Sequence, residues 1–245
     1  MKKQKNFTPD ATGEGFTLRT GQPASLQVYR YLRYEILRGG IEPDTHLSEA
    51  NLCHYFEVSR QPVREALLRL SVENLVRIYP QRGSVVTRIS VPMVHQAQLI
   101  REAVEVEMVR RAVDARDTGL LRALDTELEV QNTYAKAGQW ARFFESDQRF
   151  HQLIFEKSGV AGVWEALESS HAQLDRVRQA DLQMEEVMGL LVDQHRSIFD
   201  GIAAGDAPRA VQAMQQHLRR VLESLTRARA RAPELFDDVD PALEG

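Results

Sequence analysis

From Ser25 the apolar residues recur at helical spacing, with Leu26, Tyr29, Leu32 and Ile36 on one face. Gly39-Gly40 stops that pattern and Pro43-Asp44 turns the chain. Ser48 is placed to cap a second helix whose buried side is Leu52 and Phe56. After a short turn at Glu57-Val58, Ser59 opens a third helix with an inner face of Val63, Ala66, Leu67 and Leu70. Pro62 falls in its first turn, where a missing N–H costs little. Beyond Asn74 the period shortens. Residues 75–79 and 84–89 are rich in β-branched side chains and predict two strands, joined by a turn over 80–83. From Met93 to Ala232 only helical period is found, in six segments broken near 117–119, 137–138, 158–162, 182–185 and 204–206. The pattern therefore predicts a mainly α protein. A winged helix-turn-helix with a two-stranded wing occupies 21–89, 90–92 is a linker, and an all-α six-helix bundle occupies 93–232. Residues 1–20 are expected to be a disordered tail and 233–245 a loose acidic one.

Composition narrows the function classes. The chain has 245 residues, 43% of them hydrophobic and 27% charged, enough for ordinary globular cores. No run of eighteen apolar residues occurs, so no transmembrane helix is expected. The basic start lacks the apolar stretch of a secretory signal. The single cysteine, Cys53, excludes a disulfide framework and a cysteine-based zinc finger, and suits a reducing cytoplasm. Charge is uneven: residues 1–90 hold 13 Lys/Arg against 9 Asp/Glu, whereas 91–245 hold 18 against 26. A basic front and acidic rear suggest that only the front meets a polyanion.

The third helix carries the chemistry of the front domain. Arg60 and Arg64 lie four apart and share the outer face, with Gln61 beside them. Arginine and glutamine can pair bidentately with guanine and adenine edges in a major groove. Ser59 and the helix N-terminus suit a phosphate, and Arg82 beside Gly83 puts a cation at the wing tip. An isolated arginine pair more often just solvates a helix surface; here the pair coincides with a third-helix position, a wing arginine and a net-positive segment. His46 and His54 have no partners at ligand spacing and read as surface residues, and Cys53 as a small packing residue.

The run Leu47-Ser48-Glu49, Val58-Ser59-Arg60-Gln61-Pro62-Val63-Arg64-Glu65-Ala66-Leu67, Leu70, Leu75-Val76, Arg82-Gly83 and Val86 resembles the DNA-binding domain of the GntR family over residues 25–89. Departures are mild. Asp44 and Asn74 stand where the family often has glycine, and Cys53 replaces a common alanine; Asp and Asn both tolerate positive φ.

In the rear domain Asp147 and His151 lie one helical turn apart. His195 shares a stripe with Ile198, Phe199 and Ile202, and His217 with Met214 and Val221, so both point inward. Three inward histidines on three helices, plus one carboxylate, suit a divalent ion such as Zn, Ni, Mn or Fe. Periodicity leaves this open against the reading in which each is a hydrogen-bonded core residue. His95 and His171 show no comparable pattern. The set Asp147, His151, His195 and His217 resembles the FCD ligand-binding domain of the FadR subgroup over about 93–230, and six helices resemble its VanR-like branch. That resemblance implies a divalent metal beneath a small organic or sugar acid effector. It also implies that Arg101 points into the cavity, the alternative being a surface salt bridge with Glu105. Arg176 and Arg178 are further effector candidates, against plain surface charge.

The resulting expectation is a metabolite-responsive, cytoplasmic transcription factor, a repressor in the commoner family behaviour. It would act as a homodimer reading a palindromic double-stranded operator. The alternative is a metal-dependent hydrolase or lyase with an accessory DNA-binding-like domain. Against it, no general base stands beside the ligands and no HExxH, GxSxG, phosphate loop or CxxC is present. A third reading is a constitutive architectural dimer with a structural metal.

Overall fold

The computed structural model describes residues 5–7, 16–80, 83–157, 160, 162–184 and 186–239. They fall into two compact units. One holds the described residues up to Pro92 together with those from Ala232, and the other is Met93–Arg231.

The first unit is built on α1 (Ala24–Leu37), α2 (Glu49–Phe56) and α3 (Arg60–Val72). Its core is Val28, Leu32 and Ile36 of α1, Leu52 and Phe56 of α2, and Val63, Ala66, Leu67 and Leu70 of α3, each at most 2% exposed. In α1 the buried stripe is turned slightly from the expected one, leaving Leu26 and Tyr29 half-buried. The Ser48 side chain accepts from Asn51 N and caps α2. Asp44 and Asn74 sit at φ 63° and 55°, the left-handed region glycine usually fills.

The strands form a sheet of order β1-β2-β4-β3. Strands β3 (Val76–Tyr79) and β4 (Gly83–Val86) pair antiparallel as the wing, and β4 also pairs antiparallel with β2 (Thr45–Leu47). At three residues between a turn and a cap, β2 is too short to show a period in sequence. Strand β1 (Lys5–Asn6) pairs parallel with β2, and Phe7 is buried beside it. Those three residues thus depart from the expected disordered tail; 1–4 and 8–15 lie outside the described residues.

The expected linker is a strand running into a helix: β5 (Ile89–Ser90) leads directly into α4 (Val91–Ala115). The expected loose acidic tail is also corrected. A 3-10 turn at Pro233–Leu235 leads into β6 (Phe236–Asp237), which pairs parallel with β5. Phe236 is buried and Ser90 Oγ donates to the Val239 carbonyl. Two residues of strand and one aromatic are too little for periodicity to register.

The second unit continues from α4 through α5 (Thr118–Lys136), α6 (Trp140–Glu156), α7 (Gly162–Ser170), α8 (Ala172–Leu182), α9 (Val187–Ala204) and α10 (Ala207–Arg231). These are seven helices among the described residues, not six. The extra break falls at His171, whose φ of −117° and ψ of 24° leave helical geometry with no glycine or proline to announce it. Helix number therefore no longer points to the VanR-like branch. Asp117 caps α5 by accepting from Leu120 N at 2.7 Å. Leu120, Leu124 and Leu128 of α5 pack with Phe150 and Ile154 of α6, Ile198 of α9 and Met214 of α10. Burying each such side chain stabilises by about 1.5–3 kcal/mol. Next on the same α5 stripe comes Gln131, which is fully buried.

Candidate functional site

On α3 the outer face develops as the spacing predicts. Ser59, Arg60, Gln61 and Arg64 are all exposed. Ser59 occupies the N-cap position without a side-chain capping bond. Arg64 Nε donates to Glu49 Oε2 at 3.0 Å, and Gln61 Nε2 to Glu65 Oε1 at 3.0 Å. Arg60 has no ion-pair partner among the described residues. Gly83 opens β4 at φ 84°, and a Cβ there would lie 2.6 Å from His46 Nε2, so the His46 ring packs against the wing instead of standing free. Arg82, expected at the wing tip, lies outside the described residues. Cys53 is half-buried.

In the helical unit Asp147 and His151 of α6, His195 of α9 and His217 of α10 converge. One ligand atom from each lies within 4.8 Å of all the others, and all four residues are buried. His151 Nε2 and His195 Nε2 stand 3.1 and 3.2 Å from His217 Nε2. Asp147 Oδ1 is 3.6 Å from His195 Nε2. Phe150 stacks on the His195 ring at 4.4 Å between centroids.

The outer nitrogens decide what these rings present inward. Gln131 Nε2 donates to the Ser146 carbonyl, which turns Gln131 Oε1 toward His195 Nδ1 at 2.7 Å. An amide oxygen only accepts, so His195 Nδ1 carries the proton and Nε2 the lone pair. His217 Nδ1 faces Gln194 Oε1 at 3.0 Å. His151 Nδ1 lies 2.5 Å from Glu105 Oε2, within ion-pair distance although the angle is poor for a hydrogen bond. Three Nε2 lone pairs and a carboxylate oxygen therefore face one another in a buried space. Such a donor set is mutually repulsive without a cation and fits a divalent ion, with imidazole orientation held from behind.

The surrounding charges agree. Burial pushes His195 down to about 3 and His217 well below its ordinary value, so both stay neutral, as metal ligands must. Burial alone would raise Asp147, but Arg178, then His151 and His195, hold it below the usual carboxylate range. Burial would likewise raise Glu105, and Arg101 and His151 hold it low.

Of the three arginines singled out, Arg101 is 3% exposed and donates Nε to Glu105. The salt bridge to Glu105 forms, but it is buried and not on the surface, which corrects the surface alternative. Arg178 donates to Asp147 and, at 2.8 Å, to Asp175, with its guanidinium 5.1 Å over the Phe144 ring. Arg176 is buried, is pushed down to about 10 by burial, and approaches Gln173 Oε1 at 3.4 Å. Neither Arg176 nor Arg178 is plain surface charge. Arg101, Asp147, Arg178 and His217 line one small cavity that is partly open to solvent; Arg176 is not among its lining residues.

Sequence reasoning missed the supporting residues. Gln131 left a signal, a polar residue continuing the apolar stripe of Leu120, Leu124 and Leu128. Gln194 and Asp175 left none, since their roles depend on which helices meet.

Residues 24–86 match the family described as bacterial regulatory proteins, gntR family, and residues 97–220 match the FCD domain. The HTH-type transcriptional repressor RspR of Escherichia coli strain K12 is 35% identical over 221 residues, 90% of this chain and 97% of that protein. The gluconate operon transcriptional repressor of Bacillus subtilis strain 168 is 28% identical over 207 residues, 82% and 84% of the two chains. The solved structure of E. coli McbR/YncC superposes with a TM-score of 0.72 at 20% identity, covering 84% of this chain and 98% of that one; this shows the shared fold. No helix among the described residues is long and apolar enough to cross a membrane. The chain belongs to the GntR family of bacterial regulators: it is a DNA-binding transcriptional regulator with an FCD unit, and not an enzyme.

Proposed function

We propose that the protein is a metabolite-responsive repressor working in the cytoplasm as a homodimer on a palindromic operator. Its helical unit holds one divalent ion on Asp147, His151, His195 and His217 and binds a small organic acid beside that ion. The observation that carries this reading is the convergence of three Nε2 lone pairs and the Asp147 carboxylate, each ring fixed from behind by an acceptor. The ion would supply a positive centre for a carboxylate. Arg101 and Arg178, both on the cavity wall, would orient that carboxylate by charge-assisted hydrogen bonds. The name of the gluconate operon relative is in keeping with an acid effector. Exposed Arg60, Gln61 and Arg64 support base contacts from α3, Ser59 a phosphate contact, and Arg82 with Gly83 a wing contact.

Elemental analysis of protein purified without chelator or nickel resin tests the metal, and one ion per chain is expected. Gel shifts on the upstream region, with and without small acids, test the response. Absence of stoichiometric metal, together with an acid response that survives in His195→Ala and His217→Ala, overturns the metal reading.

A further inference from the structure

Of the α3 side chains that face outward, Gln61 can read a base in two ways. Its amide has a donor end and an acceptor end of nearly the same shape, and turning it over exchanges them. Arginine only donates, so Arg60 and Arg64 have no such choice. One Gln61 N–H is spent on Glu65, one helical turn along α3, with Nε2 donating to Oε1 at 3.0 Å. Glu65 is half-buried and is itself held from a second helix, by the side chain of Ser25 in the first turn of α1. Ser25 is only 8% exposed. The hydrogen bond from Gln61, then that from Ser25, and then nearby Arg69 hold the Glu65 carboxyl below its usual range, so it is ionised at neutral pH. An ionised carboxylate only accepts, and it therefore keeps the Gln61 carbonyl off its own side of the amide. The Ser25 contact ties this pair to α1 and distinguishes it from a pair standing on one helix surface.

We infer that Glu65 is a positioning residue for DNA recognition, which fixes the Gln61 amide so that its carbonyl and remaining N–H face the duplex and select adenine. The inference rests on the base-contact reading of Gln61 above and adds which base it selects and what makes it selective. The carbonyl accepts from the adenine N6 amino group, and the remaining N–H donates to N7. Guanine presents two acceptors in the same place, N7 and O6. An amide free to turn over can aim both of its N–H groups at them. With one N–H held by Glu65, that alternative is closed. Beside a polyanion the Glu65 carboxylate lowers affinity for every sequence. Its effect therefore belongs to discrimination between bases and not to overall affinity.

The test is fluorescence anisotropy of the full chain on its operator, on duplexes with each half-site position changed in turn, and on a scrambled duplex. The parent protein is expected to prefer adenine at one position by about 10- to 100-fold, and Gln61→Ala to erase that preference. Glu65→Ala should cut the same preference at least about fivefold. It should leave the preferences at other positions unchanged and bind the scrambled duplex no more weakly than the parent. In the Gln61→Ala background, Glu65→Ala should have no further effect at that position. General damage to α3 would lower every preference together, so a loss confined to one position reports orientation. An adenine preference that survives Glu65→Ala overturns the inference and leaves Gln61 standing as a base contact. Loss at every position together, or a preference for guanine at the Gln61 position, overturns it as well. If Gln61→Ala changes the preference at no position, the base-contact reading of Gln61 falls and this inference with it.

Discussion

Gln131 Oε1 accepts the Nδ1 proton of His195 at 2.7 Å, while its own Nε2 is held by the Ser146 carbonyl. One amide on α5 thereby sets the tautomer of a ring on α9. Gln131→Leu should keep every proposed ligand and still lower metal affinity about 10- to 100-fold, the usual effect of removing an outer partner of a metal-bound histidine. Competition with a calibrated chelator measures this. An affinity equal to that of the parent protein would return Gln131 to a purely packing role.

Arg178 shares Asp147 with the proposed ion. Its guanidinium holds the buried Asp147 and Asp175 carboxylates, which are 2% and 0% exposed. Arg178→Met leaves both buried carboxylates short of a cation, at a cost on the order of 3–5 kcal/mol when no metal is bound. A divalent ion on Asp147 restores part of that charge balance. The melting-temperature gap between parent and variant should therefore narrow when zinc is added to metal-stripped protein. A gap that zinc does not change would mean the ion and Arg178 do not meet at Asp147.

Gly201 on α9 faces the α10 backbone so closely that an added Cβ would lie 2.7 Å from both the N and Cα of Ala210. Backbone cannot move aside as a side-chain tip can, so Gly201→Ala must push α9 and α10 apart. These two helices carry His195 and His217. The expected cost is about 1–3 kcal/mol of stability, accompanied by weaker metal retention. Thermal melting and metal content together check it, and a variant that melts and loads like the parent would show that the crossing is slack.

Arg60→Ala and Arg64→Ala should each weaken operator binding by about 1–3 kcal/mol while leaving the melting temperature nearly unchanged, because both side chains are exposed. Arg64 is steadied by Glu49 across 3.0 Å, so Glu49→Gln should give a smaller loss in the same direction. Fluorescence anisotropy on operator and scrambled duplexes separates base reading from general attraction. Unchanged operator affinity in both arginine variants would return them to the solvated surface.

The local patterns were legible in the sequence because local rules govern them. Helical spacing alone put Val63, Ala66, Leu67 and Leu70 inside and Arg60 and Arg64 outside, and all six lie so. Inward orientation of His195 and His217 followed from their apolar stripes, and both are buried. Asp44 and Asn74 sit at positive φ, as the resemblance to a family that often has glycine at these turns implied. Whatever depends on the meeting of distant segments was decided only by the tertiary structure. The break at His171 has no residue signal. The pairing of Phe236–Asp237 with Ile89–Ser90 joins segments nearly 150 positions apart through backbone hydrogen bonds that any side chains would permit. Which nitrogen of His195 faces the cluster depends on Gln131, 64 positions away. The buried hydrogen bond from Ser224 to Asp181 exists only because α8 and α10 meet. Periodicity reports which side of a helix avoids water; it carries no information about what stands opposite, and hydrogen-bond partners, tautomers and cavities are properties of what stands opposite.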